Sequence, residues 1–197
     1  MKVTLRAEAD NDDAVNNLLA PAVSTARERL QEYCFSSGAV SMDDVVAELF
    51  RERCLTLSLA ESCSGGLLSK RITDIPGSSA YFYEGIVTYS NAAKSRLLGV
   101  SAELLASFGA VNSECASAMA KGVRLASGSD LGLAVTGIAG PDGGCEEKPV
   151  GTVFISLAAA DGCWTKRFQF SGSRDEIRTL TSWTALDWLR RYLLKKE

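Results

Sequence analysis

The chain has 197 residues, a length sufficient for one domain with a full core. Of these residues, 46% are hydrophobic and 23% are charged, which is typical of a soluble globular protein. No apolar run approaches the roughly 20 residues of a membrane span, and the N-terminal MKVTLRAEADNDD is too acidic for a signal peptide. Because the net charge is −3, the chain lacks a basic field for nucleic acid, and we expect a cytoplasmic protein that binds neither nucleic acid nor membrane.

The first 53 residues are predicted to form a helical N-terminal extension. Residues 11–33 are polar with scattered apolar side chains, which is typical of a peripheral helix. Ser41 has the position of an N-cap for a second helix. The composition changes at Cys54, where we place the boundary to a domain covering residues 54–197.

Strands and helices alternate from this boundary onward. The hydrophobic pattern predicts a buried strand over 54–60, a helix over 65–73, a strand over 82–89, two short helices capped by Asn91 and Ser101, an amphipathic helix over 112–127 and a buried strand over 131–137. Two β-rich runs around Asp161-Gly162 then predict a hairpin. Ser173 and Glu176 form a capping box that opens a final helix. One face of this helix is predicted to consist of Ile177, Leu180, Thr184, Trp188 and Tyr192.

This order predicts an α/β layer fold in which the hairpin makes one strand antiparallel. Polar segments follow three of the strands: ESCSGG (61–66), YSNAAK (89–94) and GIAGPDGG (137–144). Loops at the carboxyl ends of parallel strands converge on one crevice. We therefore expect the three segments to meet at one site.

The segment ESCSGG is the first candidate for chemistry. Ser62 stands at the junction from strand to helix, where backbone N–H groups without helical partners bind anions and stabilise an oxyanion. Gly65 and Gly66 allow a ligand to approach the backbone closely. The alternative is that Ser62 or Ser64 only caps the helix.

The chain contains no histidine, which excludes catalysis by Ser-His-Asp or Cys-His groups and makes the usual zinc sites improbable. None of the six cysteines are paired as C-x-x-C, so we expect reduced thiols and no metal or cofactor. Cys63 competes with Ser62 as a nucleophile, because nearby N–H groups are expected to lower the pKa of its thiol. We rank it below Ser62.

The segment YSNAAK offers a base. Lys94 lies in the first turn of a predicted helix, where the helix dipole favours a neutral amine, as burial does. A neutral lysine can take the proton of a serine hydroxyl. Tyr89 could relay a proton or donate a hydrogen bond to a substrate. The alternative for Lys94 is a solvated surface side chain.

The segment GIAGPDGG contains no dinucleotide or P-loop motif, so its glycines predict either a tight turn that cradles a ligand or a purely structural turn. Arg174 and Arg178, at the start of the final helix, could clamp a phosphate. The alternative for both is a surface salt bridge.

Several long strings together resemble the C-terminal domain family of CinA, the nicotinamide-nucleotide amidohydrolases also called PncC. They are AESCSGGLLSKRITDIPGSSAYF, GIVTYSNAAKSRLLGV, FGAVNSECASAMAKG, AVTGIAGPDGG and EEKPVGTVFISLA. The resemblance runs from about Cys54 to the final helix. It implies a three-layer α/β/α fold on a mixed five-stranded sheet with one antiparallel strand. The implied reaction is hydrolysis of nicotinamide mononucleotide to nicotinate mononucleotide and ammonia, in pyridine-nucleotide salvage.

The resemblance implies that Ser62 is the nucleophile, that Lys94 is its base and that Tyr89 assists. The family usually has AESCTGG, so Ser64 here replaces a threonine and keeps the hydroxyl. Family members often carry a large additional N-terminal domain, and this chain looks like a stand-alone form with a helical extension. The family also suggests a homo-oligomer, a dimer or larger.

For the substrate we expect an oxyanion held by N–H groups near Ser64, Gly65 or residues 137–140, a cationic ring near Glu61 or Glu84, and a phosphate near Arg178. The predicted binding residues are Glu61, Cys63, Ser64, Gly65, Gly66, Gly137, Ile138, Ala139, Gly140 and Arg178. Two alternatives remain open: a nucleotide-binding module without turnover, and an oligomerisation module in competence or DNA-damage physiology.

Overall fold

The computed structural model describes residues 3–36, 38 and 40–195, without the side chain of Lys195. The backbone divides between Val40 and Ser41 into two compact units. In the first unit, the predicted polar helix is α1 (Asp12–Leu30), followed by a 3₁₀ turn. No residue of α1 is buried, as its composition predicts.

The second unit contains all the strands of the described chain. In chain order its elements are α2 (Met42–Arg53), β1 (Leu57–Glu61), α3 (Leu67–Thr73), β2 (Phe82–Val87), α4 (Asn91–Leu98), α5 (Ala102–Phe108), α6 (Ser113–Ser127), β3 (Leu131–Gly137), β4 (Thr152–Ala159), β5 (Gly162–Gln169) and α7 (Arg174–Lys195). No helix of the described residues has the length and apolarity that a membrane span requires.

The five strands form one mixed sheet in the order β2-β1-β3-β4-β5. β1 pairs in parallel with both β2 and β3, whereas β4 is antiparallel to β3 and to β5. β4 is therefore the one strand that runs against the other four. The predicted hairpin, the mixed sheet and its single antiparallel strand are confirmed.

Helices cover both faces of this sheet. On one face, Ala60, Ala134 and Ala158 of three adjacent strands pack against a cluster from α4, α5 and α6 that includes Leu98, Leu105, Cys115, Met119 and Val123. The alternate residues of the strands point to the opposite face, where α3 contacts β1 and β2 while α7 contacts β3 and β4. The fold is the expected three-layer α/β/α arrangement.

The helix α2 belongs to the compact second unit. Its Val46, Ala47 and Phe50 are fully buried, and the Phe50 ring stacks on Tyr81 at 5.1 Å between centroids. The unit consequently begins at Ser41, whereas the composition of the sequence placed the boundary at Cys54.

The buried face of α7 differs from the predicted one. Leu180 is exposed, and Thr184, Trp188 and Tyr192 are only half-buried. The residues that point inward include Ile177, Thr181, Ala185, Leu189 and Leu193. The aromatic residues lie at the margin because they interact there with polar groups: Tyr192 donates to Asp161 at 2.8 Å, and Lys166 lies over the Trp188 ring. The helix instead packs aliphatic side chains and a few small residues inward.

Two predicted helix starts also shift. The N-cap of α4 is Ser90 rather than Asn91, because the Ser90 hydroxyl accepts from Ala93 N at 3.1 Å. α3 starts at Leu67 rather than at Gly65, because Gly65 and Gly66 have φ values of +61° and +90°, outside the right-handed helical range.

Candidate active site

The site lies at the carboxyl ends of β1 and β2. Ser62 directly follows β1, and Lys94 is the fourth residue of α4, the helix that follows β2. The Nζ atom of Lys94 is 3.0 Å from Ser62 Oγ and donates a second hydrogen bond to Thr88 O at 2.7 Å. The fold thus brings together two predicted catalytic residues that are far apart in the sequence.

The environment of Lys94 favours its neutral amine. The side chain is buried, with 1% of the residue exposed, and neither of its two hydrogen-bond partners is a carboxylate. Loss of solvation on burial lowers the pKa of Lys94, and the nearby thiols of Cys115 and Cys63 oppose this effect only in part. A neutral amine can accept the hydroxyl proton of Ser62 at the observed distance.

Tyr89 is near the rim of the site and is 63% exposed. Its hydroxyl accepts a hydrogen bond from Arg174 at 3.0 Å, and the same guanidinium donates to Gly140 O at 2.8 Å. Arg174 therefore ties the loop after β2 to the loop after β3. Among the described residues, no hydrogen bond joins Tyr89 to Ser62 or Lys94. The sequence named Arg174 only as a possible phosphate ligand and did not indicate its contact with Tyr89.

Cys63 is a poor nucleophile in this structure. Burial raises the pKa of its thiol to about 12, and the backbone N–H groups of Cys63 and Ser64 counteract this only in part. The expected lowering of this pKa is therefore wrong: the N–H groups are present, but the loss of solvation outweighs them. The thiol stays protonated at neutral pH.

Glu61 faces α3 from inside the protein. The residue is fully buried, and its carboxylate accepts hydrogen bonds from the N–H groups of Gly66, Leu68 and Ser69 and from the Ser69 hydroxyl. The backbone donors at the start of α3 are consequently occupied by Glu61. Ser62 does not cap this helix.

Arg178 contacts the segment ESCSGG (residues 61–66), which we call the serine loop. Its Nε and one terminal nitrogen donate to Ser64 O at 3.1 Å and 2.9 Å, and the other terminal nitrogen is 3.4 Å from Asp175. The Ser64 hydroxyl is buried and has no hydrogen-bond partner among the described residues. The predicted phosphate ligand is thus bonded to the backbone next to the nucleophile.

The loop after β3 closes over β4. Ile138 N donates to Thr152 O at 2.9 Å, and Ile138 O accepts from Gly151 N at 2.7 Å. Ala139 is buried, and Gly140 O accepts from Arg174. These hydrogen bonds fix the position of the loop, and Arg174 links it to Tyr89. Gly137 is the last residue of β3 and still pairs with Val153 of β4.

Glu84 is placed elsewhere. It lies within β2 opposite Ser58, before the end of the strand, so it is not at the carboxyl edge that carries Ser62.

Within residues 3–36, 38 and 40–195, no three Cys, Asp or Glu side chains are grouped to hold a metal ion.

A cavity of about 420 Å³ lies between α2, α3 and α7. Two of its charged side chains bond each other: Arg71 donates to both carboxylate oxygens of Asp43, at 2.8 and 2.7 Å, and also to Ser182 at 2.9 Å. The Arg71 guanidinium also stacks on Trp183 at 4.2 Å. None of the cavity's lining residues belongs to the three loops, so it is separate from the Ser62–Lys94 pair.

Comparison with known proteins identifies the family. The sequence profile of the CinA C-terminal domain matches residues 39–193, which include all three loops. The chain belongs to the CinA C-terminal domain family. A CinA-like protein of Geotalea uraniireducens (strain Rf4) is 60% identical over 194 residues, 98% of this chain and 46% of that protein. The chain thus spans about half the length of the curated relatives it matches.

Solved structures of CinA proteins share the fold. The competence/damage inducible protein CihA from Agrobacterium tumefaciens is 40% identical, with a TM-score of 0.74 over 81% of this chain and 99% of that one. A competence-damaged protein (CinA) superfamily protein from Escherichia coli is 27% identical, with a TM-score of 0.72 over 82% of this chain and 98% of that one. The expected family and fold are both confirmed.

Proposed function

We propose that this CinA-domain chain is an amidase that hydrolyses the carboxamide of nicotinamide mononucleotide to nicotinate mononucleotide and ammonia. The observation that carries the proposal is the 3.0 Å contact between Ser62 Oγ and the buried Lys94 amine. In a chain without histidine, such a pair supplies both a nucleophile and a base. The particular substrate comes from the family resemblance.

In the first step, the neutral amine of Lys94 takes the Ser62 hydroxyl proton while Oγ attacks the carboxamide carbon. The resulting ammonium of Lys94 keeps its hydrogen bond to Thr88 O at 2.7 Å. Carbon–oxygen bond formation turns the carboxamide oxygen into an oxyanion. Because Lys94 lies within reach of Oγ before the reaction begins, the proton transfer requires no rearrangement of the pair.

The oxyanion requires N–H donors that the fold has not already used. The Gly65 N–H donates to Ser62 O, and the Gly66 N–H donates to Glu61. The N–H groups of Cys63 and Ser64 lie near the Cys63 thiol and have no oxygen acceptor among the described residues. We assign the oxyanion to these two N–H groups, of which one belongs to the residue that directly follows the nucleophile.

In the second step, the carbon–nitrogen bond breaks and the Lys94 ammonium returns its proton to the leaving nitrogen, which departs as ammonia. Water then attacks the acyl-Ser62 ester, with Lys94 again taking the proton, and nicotinate mononucleotide is released as Ser62 regains its hydrogen. We assign Tyr89 and Arg174 to the rim of the site, where the hydroxyl can contact the substrate.

The test is ammonia release from nicotinamide mononucleotide by the wild type and by Ser62→Ala. We expect release by the wild type and loss of roughly 10³-fold or more in the variant, because the variant has no nucleophile. Ser113→Ala, in the first turn of α6, is the matched control and should keep wild-type activity. Absence of release by a folded wild type would contradict the amidase proposal and favour a nucleotide-binding module without turnover.

A further inference from the structure

Glu61 is the residue directly before the nucleophile, and its side chain closes the loop that contains Ser62. The loop is anchored at its start by a hydrogen bond from Ser62 N to Val135 O at 3.0 Å. At its end, the Gly66 N–H donates to Glu61 Oε2 at 3.0 Å. The carboxylate therefore joins the residue before the loop to its last residue.

The same carboxylate also holds the start of α3. Its Oε2 accepts from Leu68 N at 3.1 Å, and its Oε1 accepts from Ser69 N at 2.7 Å and from the Ser69 hydroxyl at 2.6 Å. With Gly66, this makes four donors on one fully buried carboxylate. The orientation of the loop relative to α3 is consequently fixed by one side chain.

The backbone of Glu61 belongs to the support of the base as well. Glu61 O accepts from Thr88 N at 2.8 Å, and Thr88 O accepts from Lys94 Nζ at 2.7 Å. The nucleophile follows Glu61 along the chain, while the base is two hydrogen bonds away from it. Glu61 is thus hydrogen-bonded both to the loop that contains the nucleophile and to Thr88, the residue that accepts from the base.

The neighbouring strand leaves room for this arrangement at one glycine. A Cβ added to Gly85 of β2 would collide with Ser69 Oγ, the hydroxyl that donates to Glu61. The backbone of Gly85 is outside the left-handed region, so an alanine there would be strained by this collision and not by its own backbone angles. The position offers a second way to disturb the carboxylate's bonds.

We propose that Glu61 is a positioning residue that sets the geometry of Ser62 relative to Lys94 and touches no substrate. The proposal rests on the amidase function proposed above. It replaces the sequence prediction that this carboxylate lies near the cationic ring of the substrate. A buried carboxylate with four internal donors has neither the exposure nor the free lone pairs that contact with the ring would require.

The principal variant is Glu61→Gln. One oxygen becomes an NH₂ group that faces backbone N–H donors, so two hydrogen bonds are lost and the loop shifts. A displacement of about 1 Å can cost about 10²-fold in rate, so we expect kcat for ammonia release to fall 10- to 100-fold and KM to stay within twofold. Gly85→Ala should show the same pattern to a smaller degree, and Ser69→Ala, which removes one of the four donors, the smallest effect.

Asp130→Asn is the matched control. The Asp130 carboxylate also accepts from a backbone N–H and a hydroxyl, both of Thr56, but at the opposite end of β1. It should lower the unfolding temperature and leave kcat unchanged. If Glu61→Gln changes kcat no more than Asp130→Asn at equal loss of stability, Glu61 is only structural and the proposal is wrong. A rise in KM at unchanged kcat would make Glu61 a substrate ligand, which also overturns it.

Two further measurements separate this proposal from the amidase function. The pH dependence of kcat should keep its wild-type midpoint in Glu61→Gln, because burial, the main cause of the lowered pKa of Lys94, does not depend on Glu61. Hydrogen exchange over residues 62–69 should become faster in Glu61→Gln and not in Asp130→Asn. If the wild type releases no ammonia, the amidase function fails, and this exchange decides about Glu61 alone: unchanged exchange overturns the positioning role, and faster exchange supports it.

Discussion

Lys70 and Lys94 occupy the same position in two comparable helices, yet their environments are opposite. Each is the fourth residue of a helix that follows a parallel strand, Lys70 in α3 and Lys94 in α4. The Lys70 side chain is 68% exposed and forms an ion pair with Asp74 at 2.6 Å, whereas Lys94 is 1% exposed and contacts a hydroxyl and a carbonyl. The comparison teaches that burial without a counter-charge, rather than helix position, lowers the pKa of Lys94 and favours its neutral amine.

The largest expected effect comes from Lys94→Arg. Arginine stays charged at any working pH and cannot take the Ser62 proton. We expect ammonia release to fall by at least about 10²- to 10⁴-fold, the usual contribution of a general base. Lys70→Arg is the matched control and should retain full activity. Comparable activity of both variants in the ammonia assay would contradict the assignment of Lys94.

The next effect concerns Cys63, the thiol beside the nucleophile. With a pKa of about 12, it has far less thiolate at pH 8 than an ordinary cysteine. We expect alkylation of Cys63 by iodoacetamide to be at least about 10²-fold slower than that of the exposed Cys54, since each pKa unit changes the thiolate fraction about tenfold. Mass spectrometry of the two peptides measures the ratio. Equal rates would contradict the raised pKa of Cys63.

A smaller effect is expected on stability. Because the pKa of Lys94 is lower in the folded chain than in the unfolded chain, the unfolded state binds more protons between these two values. The free energy of unfolding should therefore rise with pH in this window, by up to about 1.4 kcal/mol per unit, and level off near the ordinary lysine pKa of about 10.4. Lys94→Met should lack this rise.

Urea unfolding of the wild type and Lys94→Met at several pH values isolates the contribution of Lys94, because every other titrating group is shared. A difference that is independent of pH would mean that Lys94 has an ordinary pKa.

The smallest effect is expected for Lys70→Ala. Its ion pair with Asp74 is exposed, and such pairs contribute roughly 0.5 kcal/mol or less. A larger loss of unfolding free energy would show that the exposed pair of Lys70 and Asp74 is not a weak surface contact, and would contradict the contrast with Lys94.

Much of the fold could be predicted from the sequence because its signals are local. The apolar run before Glu61, the Asp161-Gly162 turn and the Ser173–Glu176 capping box each mark an element through its own residues. The inward face of α7 could not be predicted in this way. There the partners of Trp188 and Tyr192 come from β5 and the hairpin turn, so tertiary contacts override the hydrophobic pattern.

The same distinction between local signals and tertiary contacts applies to the candidate active site. The absence of histidine and the strings around Ser62 and Lys94 were sufficient to name the pair, and the structure places the two side chains in contact. The directions of Glu61 and Arg178 could not be read from the sequence. A carboxylate or guanidinium next to a nucleophile can face the substrate or the backbone, and both face the backbone here because the ends of α3 and of the serine loop lie within reach.

The most direct test of the central claim is the pH dependence of ammonia release from nicotinamide mononucleotide by the wild type. If the neutral amine of Lys94 activates Ser62, kcat/KM rises with pH and reaches its plateau around a midpoint well below the ordinary lysine pKa of about 10.4. A midpoint at that ordinary value, or a rate that does not depend on pH, would contradict the role of Lys94 as the buried base.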